Sequence, residues 1–278
     1  MSITWLTSYP KSGNTWLRTF LTNYDPKRTE PASINELIGA SITSDRHLFD
    51  EYVGLASADM TLEEIAEYRP IFCELLARDY TEPCFVKVHD AYTINNSGKA
   101  CFPRQATAGV IYIIRNPLDV VVSYAHHENK TIDEIIKGMN CDRLSLAYSP
   151  RNIYSQLPQK LLSWHNHVIS WVDNPELKVH VVRYEDMLAR PVETFSNIVK
   201  FAGLALDANL LEKAIAFSHF DQLAAQEKKS GFTEKQPTAL SFFRQGHVGA
   251  WQNHLSQHQI NKIIKNHYKI MKRFNYQA

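Results

Sequence analysis

The feature that most constrains this chain is a short apolar run that passes through a tight turn straight into a helix-forming pattern. Ile3 to Ser8 reads as a buried strand, and Leu17, Phe20, Leu21 and Tyr24 then recur at helical spacing. Between them lie Tyr9-Pro10-Lys11-Ser12-Gly13-Asn14-Thr15-Trp16. A strand feeding such a turn makes an anion cradle. The first helical N–H groups have no internal partner, the helix dipole favours negative charge, and a glycine lets backbone approach a ligand. Lys11 adds a mobile cation. The nucleotide-triphosphate loop needs two glycines and Gly-Lys-Ser/Thr; here Lys11 precedes Gly13 and the first glycine is missing. On these residues alone, an anion cradle and an ordinary βα turn with a surface lysine both stand.

Three more runs read as buried strands: Cys84 to His89, Gly109 to Ile114 and Leu177 to Tyr184. The second is a near-continuous β-branched run of the kind found in parallel sheets covered on both faces. Strands alternating with helical patterns predict an α/β fold: a central parallel sheet of four to five strands flanked by helices in three layers. Ligands bind such sheets at the carboxyl ends of the strands. Lys87 and His89 therefore arrive at the edge that already holds Lys11, although a histidine there can equally cap a carbonyl. The third strand ends in Arg115-Asn116-Pro117-Leu118-Asp119 before a helix through Val120, Val121 and Tyr124, a second strand–turn–helix anion site. It ends in arginine rather than the aspartate that would hold magnesium, which disfavours a kinase or ATPase. The alternative for Arg115 is a pair with Asp119 at the helix start.

The remaining segments predict short, interrupted helices over 33–80, helices with a break over 131–160, and an amphipathic helix over 161–172 with Trp164, Val168 and Trp171 on its core face. Helices over 191–204, ended by Gly203, and 210–217 follow, then a polar, mobile stretch over 226–241 of the kind that acts as a lid. The 278 residues suit one domain with a large core. A net charge of +1 argues against a nucleic-acid surface but not against a local basic pocket. Cys73, Cys84, Cys101 and Cys141 lack metal-ligand spacing and read as reduced thiols. With no signal-peptide pattern and no membrane-length apolar run, a cytoplasmic protein is expected. Adjacent His126 and His127 diverge by about 100° on a helix. They, His165 and His167, and His254 and His258 are therefore expected as polar or surface positions, not metal ligands.

Tyr9-Pro10-Lys11-Ser12-Gly13-Asn14-Thr15-Trp16 resembles the 5′-phosphosulfate loop of the cytosolic-type sulfotransferases, which use 3′-phosphoadenosine 5′-phosphosulfate (PAPS). Asn14, where animal members usually carry threonine, is similar to the bacterial, natural-product-tailoring members. Lys87-Val88-His89 resembles the family's Lys-Thr-His, and Arg115-Asn116-Pro117 with Asp119, Ser123 and Tyr124 its 3′-phosphate signature. Ser218-His219-Phe220 resembles its adenine-contacting Thr-Ser-Phe. Arg244-Gln245-Gly246 through Trp251-Gln252-Asn253 resembles Arg-Lys-Gly-x-x-Gly-Asp-Trp-Lys-Asn, with Gln245, Ala250 and Gln252 departing from it.

The resemblance implies a P-loop-like fold and roles residue by residue. His89 is the general base, Lys11 lies at the leaving-group oxygen, and Lys87 assists the transferring group. Ser12, Gly13, Asn14 and Thr15 cradle the 5′-phosphate. Arg115, Ser123, Arg244, Gln245 and Gly246 hold the 3′-phosphate, and Trp16, Phe220, Tyr184 and Ser218 take adenine. No metal is implied. The 25–80 region would cover the acceptor side. The expected partner is a small-molecule acceptor, sulfated on oxygen or nitrogen. If Asp25, Asp45, Asp50, Glu51 or Asp90 line its pocket, a guanidinium alkaloid of the saxitoxin type becomes attractive; phenols, glycopeptides and sugar or lipid alcohols stay open. A kinase-like transferase and a non-catalytic adenosine-bisphosphate binder are the rival readings.

Overall fold

The computed structural model describes residues 2–276 except 40, 41, 81, 82, 150, 237, 238 and 245. In chain order the elements begin with β1 (Ile3–Ser8), α1 (Asn14–Asn23), α2 (Arg46–Val53), α3 (Leu62–Asp79), β2 (Cys84–Val88) and β3 (Thr107–Ile114). Then come α4 (Pro117–Glu128), α5 (Ile132–Met139), the two-residue strands β4 (Ser145–Leu146) and β5 (Gln159–Lys160), α6 (Trp164–Val172), β6 (Val179–Arg183) and α7 (Tyr184–Ala189). The chain closes with α8 (Pro191–Phe201), α9 (Ala208–Phe217), α10 (Phe220–Ser230) and α11 (Gln257–Arg273).

The four long strands form one parallel sheet in the order β2-β1-β3-β6. Both faces are buried, as the β-branched runs require. Along β3, Val110, Tyr112 and Ile114 face a core with Trp5, Phe72, Val86, Trp164 and Trp171. Ile111 and Ile113 face the opposite core, built from Leu6, Leu17, Phe20, Phe195 and Ile198. The chain leaves β1 for one flank and returns to the other. The strand order thus reverses beside β1, at the position where open parallel sheets bind ligands. The four-strand expectation is met. Among the described residues no helix is long and apolar enough to cross a membrane.

Three expectations change. The 131–160 stretch is helical only through α5; beyond it, Leu157 N–H donates to Ser44 O, Arg46 N–H to Ser155 O, and Ala91 N–H to Lys160 O. These long-range backbone partners hold an extended course that local periodicity cannot reveal. The amphipathic helix begins at Trp164, not Leu161, because the Ser163 hydroxyl accepts from Asn166 N–H and caps it. The stretch expected as mobile from 226 is helical through Ser230, and the Glu227 carboxylate accepts from Phe242 and Phe243 N–H. Pro237 and Thr238 lie outside the described residues.

Candidate active site

The turn after β1 is shaped by two backbone positions. Lys11 has φ 68°, a left-handed conformation that costs a side-chain-bearing residue about 1–2 kcal/mol. Gly13 has φ 107°, and a Cβ there would lie 2.7 Å from Tyr184 Cδ2, so the position takes glycine on both counts. No side chain caps α1, so its first N–H groups remain available to a ligand. The Asn14 amide donates to Leu6 O and Ser8 Oγ, at 2.8 and 3.3 Å, which ties the helix start to β1. What Asn14 can offer an anion is its backbone N–H.

His89 and Arg115 reach this turn from the neighbouring strands. His89 Nδ1 lies 2.9 Å from Ser8 O. A carbonyl only accepts, so Nδ1 carries the proton and Nε2 keeps a lone pair. Arg115 Nη1 donates to Lys11 O at 3.1 Å and Nη2 to His247 O at 3.3 Å; its guanidinium lies 4.2 Å from the Tyr184 ring centroid. The alternative pair of Arg115 with Asp119 does not form. The Asp119 carboxylate instead accepts from Gly249 and Trp251 N–H at 2.9 and 3.1 Å.

These groups border one cavity of about 1180 Å³. Its wall includes Lys11, Gly13, Asn14, Thr15, Trp16, Lys87 and His89, and also Arg115, Ser123, Tyr184, Phe220, Arg244 and Gly246. Two expected residues are not on it. Ser12 lies beneath the turn, 1 % exposed, with its hydroxyl unpartnered. Ser218 is fully buried and its hydroxyl donates to Ala214 and Ile215 carbonyls, closing the end of its own helix. Gln245 lies outside the described residues. Of the described residues in 25–80 only Ile42 reaches the wall, which also carries residues of α4 and α5 and residues 144–148, 154–156 and 159. The five candidate carboxylates are also elsewhere: Asp45 caps α2, Asp50 accepts from Ser57 N–H, Asp25 from Lys27 N–H, and Asp90 is paired with Arg69; like them, Glu51 is off the wall.

The site is basic, and its titrations are displaced. Burial, then Arg115 and Lys87, lower the Lys11 ammonium to about 7. Burial and Lys87 lower His89 to about 3, so it is a neutral base at pH 7. His127, on the same wall, is lowered to about 3 by burial, Lys11 and Lys87. Burial would raise the Glu234 carboxylate, but Lys87 and Arg18 outweigh it and hold it at about 2. Among the described residues no group of three or more His, Cys, Asp or Glu side chains is placed to hold a metal.

Several contributors were not read from the sequence. His167, expected as a polar or surface position, is fully buried; its Nδ1 accepts from Tyr112 OH at 2.7 Å and its Nε2 donates to His89 O at 3.0 Å. The signal was present, since 167 falls in the 164–168–171 stripe. Phe242 sits under Lys11, with Nζ 3.8 Å from the ring centroid. Glu234 bridges Lys87 and Arg18 at 2.8 and 2.6 Å. No local pattern singles out either residue.

Residues 2–275 match the profile of the sulfotransferase domain. The chain belongs to the sulfotransferase family. Among its curated relatives are cytosolic sulfotransferase 1 of Arabidopsis thaliana, 23 % identical over 273 residues, covering 93 % of this chain and 75 % of that protein. Flavonol 3-sulfotransferase of Flaveria bidentis is 25 % identical over 284 residues, covering 94 % and 78 %. The mouse sulfotransferase SULT7A1, solved with PAP, shares the fold at TM-score 0.61 and 20 % identity, over 100 % of this chain and 89 % of that one. Retinol dehydratase, solved with androsterone and PAP, shares it at TM-score 0.61 and 16 % identity, over 97 % and 80 %. The α/β fold and the sulfotransferase class expected from the motifs are those of the family.

Proposed function

We propose that this sulfotransferase uses PAPS and moves its sulfuryl group to a hydroxyl or nitrogen of a small-molecule acceptor, releasing adenosine 3′,5′-bisphosphate (PAP). One observation carries the reading: Lys11, Lys87, His89 and Arg115, from three strand ends, border a single cavity. Its volume, about 1180 Å³, exceeds the ~300–1,000 Å³ typical of one small ligand and leaves room for donor and acceptor together. The residues fit a bisphosphorylated adenosine. Two buried polar atoms of wall residues, Trp16 Nε1 and Arg115 Nε, have no partner, and burial without a partner is a cost that a bound ligand can remove.

Bound there, the donor supplies a sulfuryl group activated by a phosphate leaving group. The protein supplies position, charge and a proton acceptor. The α1 N-terminus and Thr15 hold the 5′-phosphate end. Arg115, Ser123, Arg244 and the Gly246 backbone hold the 3′-phosphate, and Trp16, Tyr184 and Phe220 enclose the base. His89 Nε2 takes the acceptor proton, because Nδ1–H is committed to Ser8 O. Lys11 and Lys87 offset the charge that develops on the phosphate and the transferring oxygens. The acceptor side is apolar, with Tyr124, Ile135, Met139, Leu144 and Leu146 on its wall. That supports an acceptor with an apolar body carrying the hydroxyl or amine. For a secondary metabolite of the saxitoxin-type guanidinium class the support is weaker, because the carboxylates on the wall have partners: Asp119 with Gly249 and Trp251 N–H, Glu128 with Lys130, Glu134 with Thr131, Asp221 with His219, and Glu234 with Lys87 and Arg18.

The deciding experiment is a mass-spectrometric acceptor screen with PAPS. A product heavier by one sulfuryl group, formed with EDTA present, is expected. PAP binding without transfer to any acceptor would leave a nucleotide-binding protein, and dependence on ATP and magnesium a kinase. With an acceptor in hand, His89→Ala should lower kcat by about 10² or more with PAP affinity little changed; unaltered turnover would remove His89 as the base.

A further inference from the structure

Lys87 is not left to itself in the cavity. Glu234 Oε2 lies 2.8 Å from its Nζ, and Oε1 lies 2.6 Å from Arg18 Nη1. Arg18 is 1 % exposed, fixed by α1 and by an Nε–H bond to Ile38 O at 2.9 Å. Glu234 is therefore aimed by a buried, hydrogen-bonded guanidinium, and it aims Lys87 in turn. Among the described ion pairs, Glu234 is the one carboxylate on either cation. Its departure would strand a buried guanidinium, which is costly, so the geometry favours a carboxylate that stays in place. Lys87 and His89 are two residues apart, from the end of β2, and extended backbone puts such neighbours on one side. An ammonium held at Lys87 Nζ thus sits beside the group we assign as the base.

We propose that Glu234 is a positioning residue for sulfuryl transfer: it touches no reacting atom, but it fixes the direction and the charge of the Lys87 ammonium. The proposal rests on the reading of Lys87 given above. The groups facing Lys87 support it. Arg18, Lys11, His89 and His127 all act on Lys87 or are acted on by it. Two of them are permanent or partial cations, and burial and Arg18 both push the Lys87 ammonium towards losing its proton. Glu234 is the acidic group that opposes this.

The test uses the full chain with ¹³Cε-labelled lysine, the Lys87 signal being assigned with Lys87→Arg. In Glu234→Gln, the Lys87 titration midpoint should fall by about one pH unit or more, a tenfold loss of proton affinity. In Glu234→Asp it should fall less. Turnover of PAPS, followed as PAP released with 2-naphthol as probe acceptor, should fall about tenfold in Glu234→Gln. In the Lys87→Ala background the same change should cost nothing further, because a residue acting through Lys87 has nothing left to act on. If Glu234→Gln does not fold, Arg18→Met combined with Glu234→Gln removes the stranded cation and is compared with Arg18→Met alone, so that the Arg18 charge is absent from both sides of the comparison. An unmoved Lys87 midpoint overturns the proposal, as does a tenfold loss that persists without Lys87. Wild-type turnover in Lys87→Ala, with the midpoint shift intact, would instead overturn the role of Lys87.

Discussion

At the scale of single residues, Lys11 carries the clearest consequence. Free of ligand it titrates near 7 because burial, Arg115 and Lys87 all disfavour its charge. An anion beside it reverses that balance, so bound Lys11 is protonated. PAP binding at pH 8 should then take up protons, approaching one per site, and affinity should decline as pH rises above 7. Calorimetry in two buffers of different ionisation enthalpy reads this directly; no proton uptake would place the ligand away from Lys11. Gly246 gives a second expectation. Its φ is 63°, and a Cβ would run into the Phe220 ring. Gly246→Ala should therefore displace the Phe220 ring and weaken PAP binding about tenfold or more, with the fold retained by circular dichroism. That Lys11, His89 and Arg115 meet at one edge of the sheet was legible from residue type at strand ends. The spending of the Asn14 amide on β1 and of the Ser218 hydroxyl on its own helix was not, since nothing local fixes where a hydroxyl or amide turns.

Between elements, the tie from α4 to the chain's last third matters most. Asp119, 1 % exposed, accepts from two backbone N–H groups of the 249–251 segment and so seats it against the helix start. Asp119→Ala should leave those donors unpaired and cost about 1–3 kcal/mol of stability. It should also weaken PAP binding, because Gly246 and Arg244 lie in the segment it seats; Asp119→Asn, with one acceptor oxygen, should lose less. Thermal melts with and without PAP separate the two effects. The strands were legible because buried parallel strands write themselves as apolar runs, and α4, α8 and α9 because their stripes and caps are local. The course of 144–160 was not, because its partners, Ser44, Arg46 and Ala91, lie far off in sequence. The polar composition of 226–241 concealed Glu227 and Glu234 in the same way: each is held by groups outside its own segment.

Over the whole molecule, buried neutral histidines set the response to acid. Burial lowers His167 and His267 to about 4, and both are essentially inaccessible. An unfolded chain would protonate them near 6.5. Between those values the unfolded state binds more protons, so stability is full above about pH 6.5 and falls as pH drops towards 4, by up to ~1.4 kcal/mol per pH unit for each histidine. His267 has no partner on either ring nitrogen and packs at 5.3 Å on Trp164. His267→Leu should therefore narrow the gap in Tm between pH 7.5 and pH 5, measured by scanning calorimetry; an unchanged gap would mean that this ring does not report on acid unfolding.

The strand order has one more outcome, for how the protein is made. β1 leaves the ribosome before the strands that flank it, yet it lies inside the sheet, and its flank opposite β2 is closed by β3, where Trp5 pairs with Val110. Until about a hundred further residues have been synthesised, an apolar strand with an open edge must be kept from other chains. Nascent chains released before β3 should precipitate, and those released after β6 should not. The anion cradle after β1 is thus made before the strands that complete it.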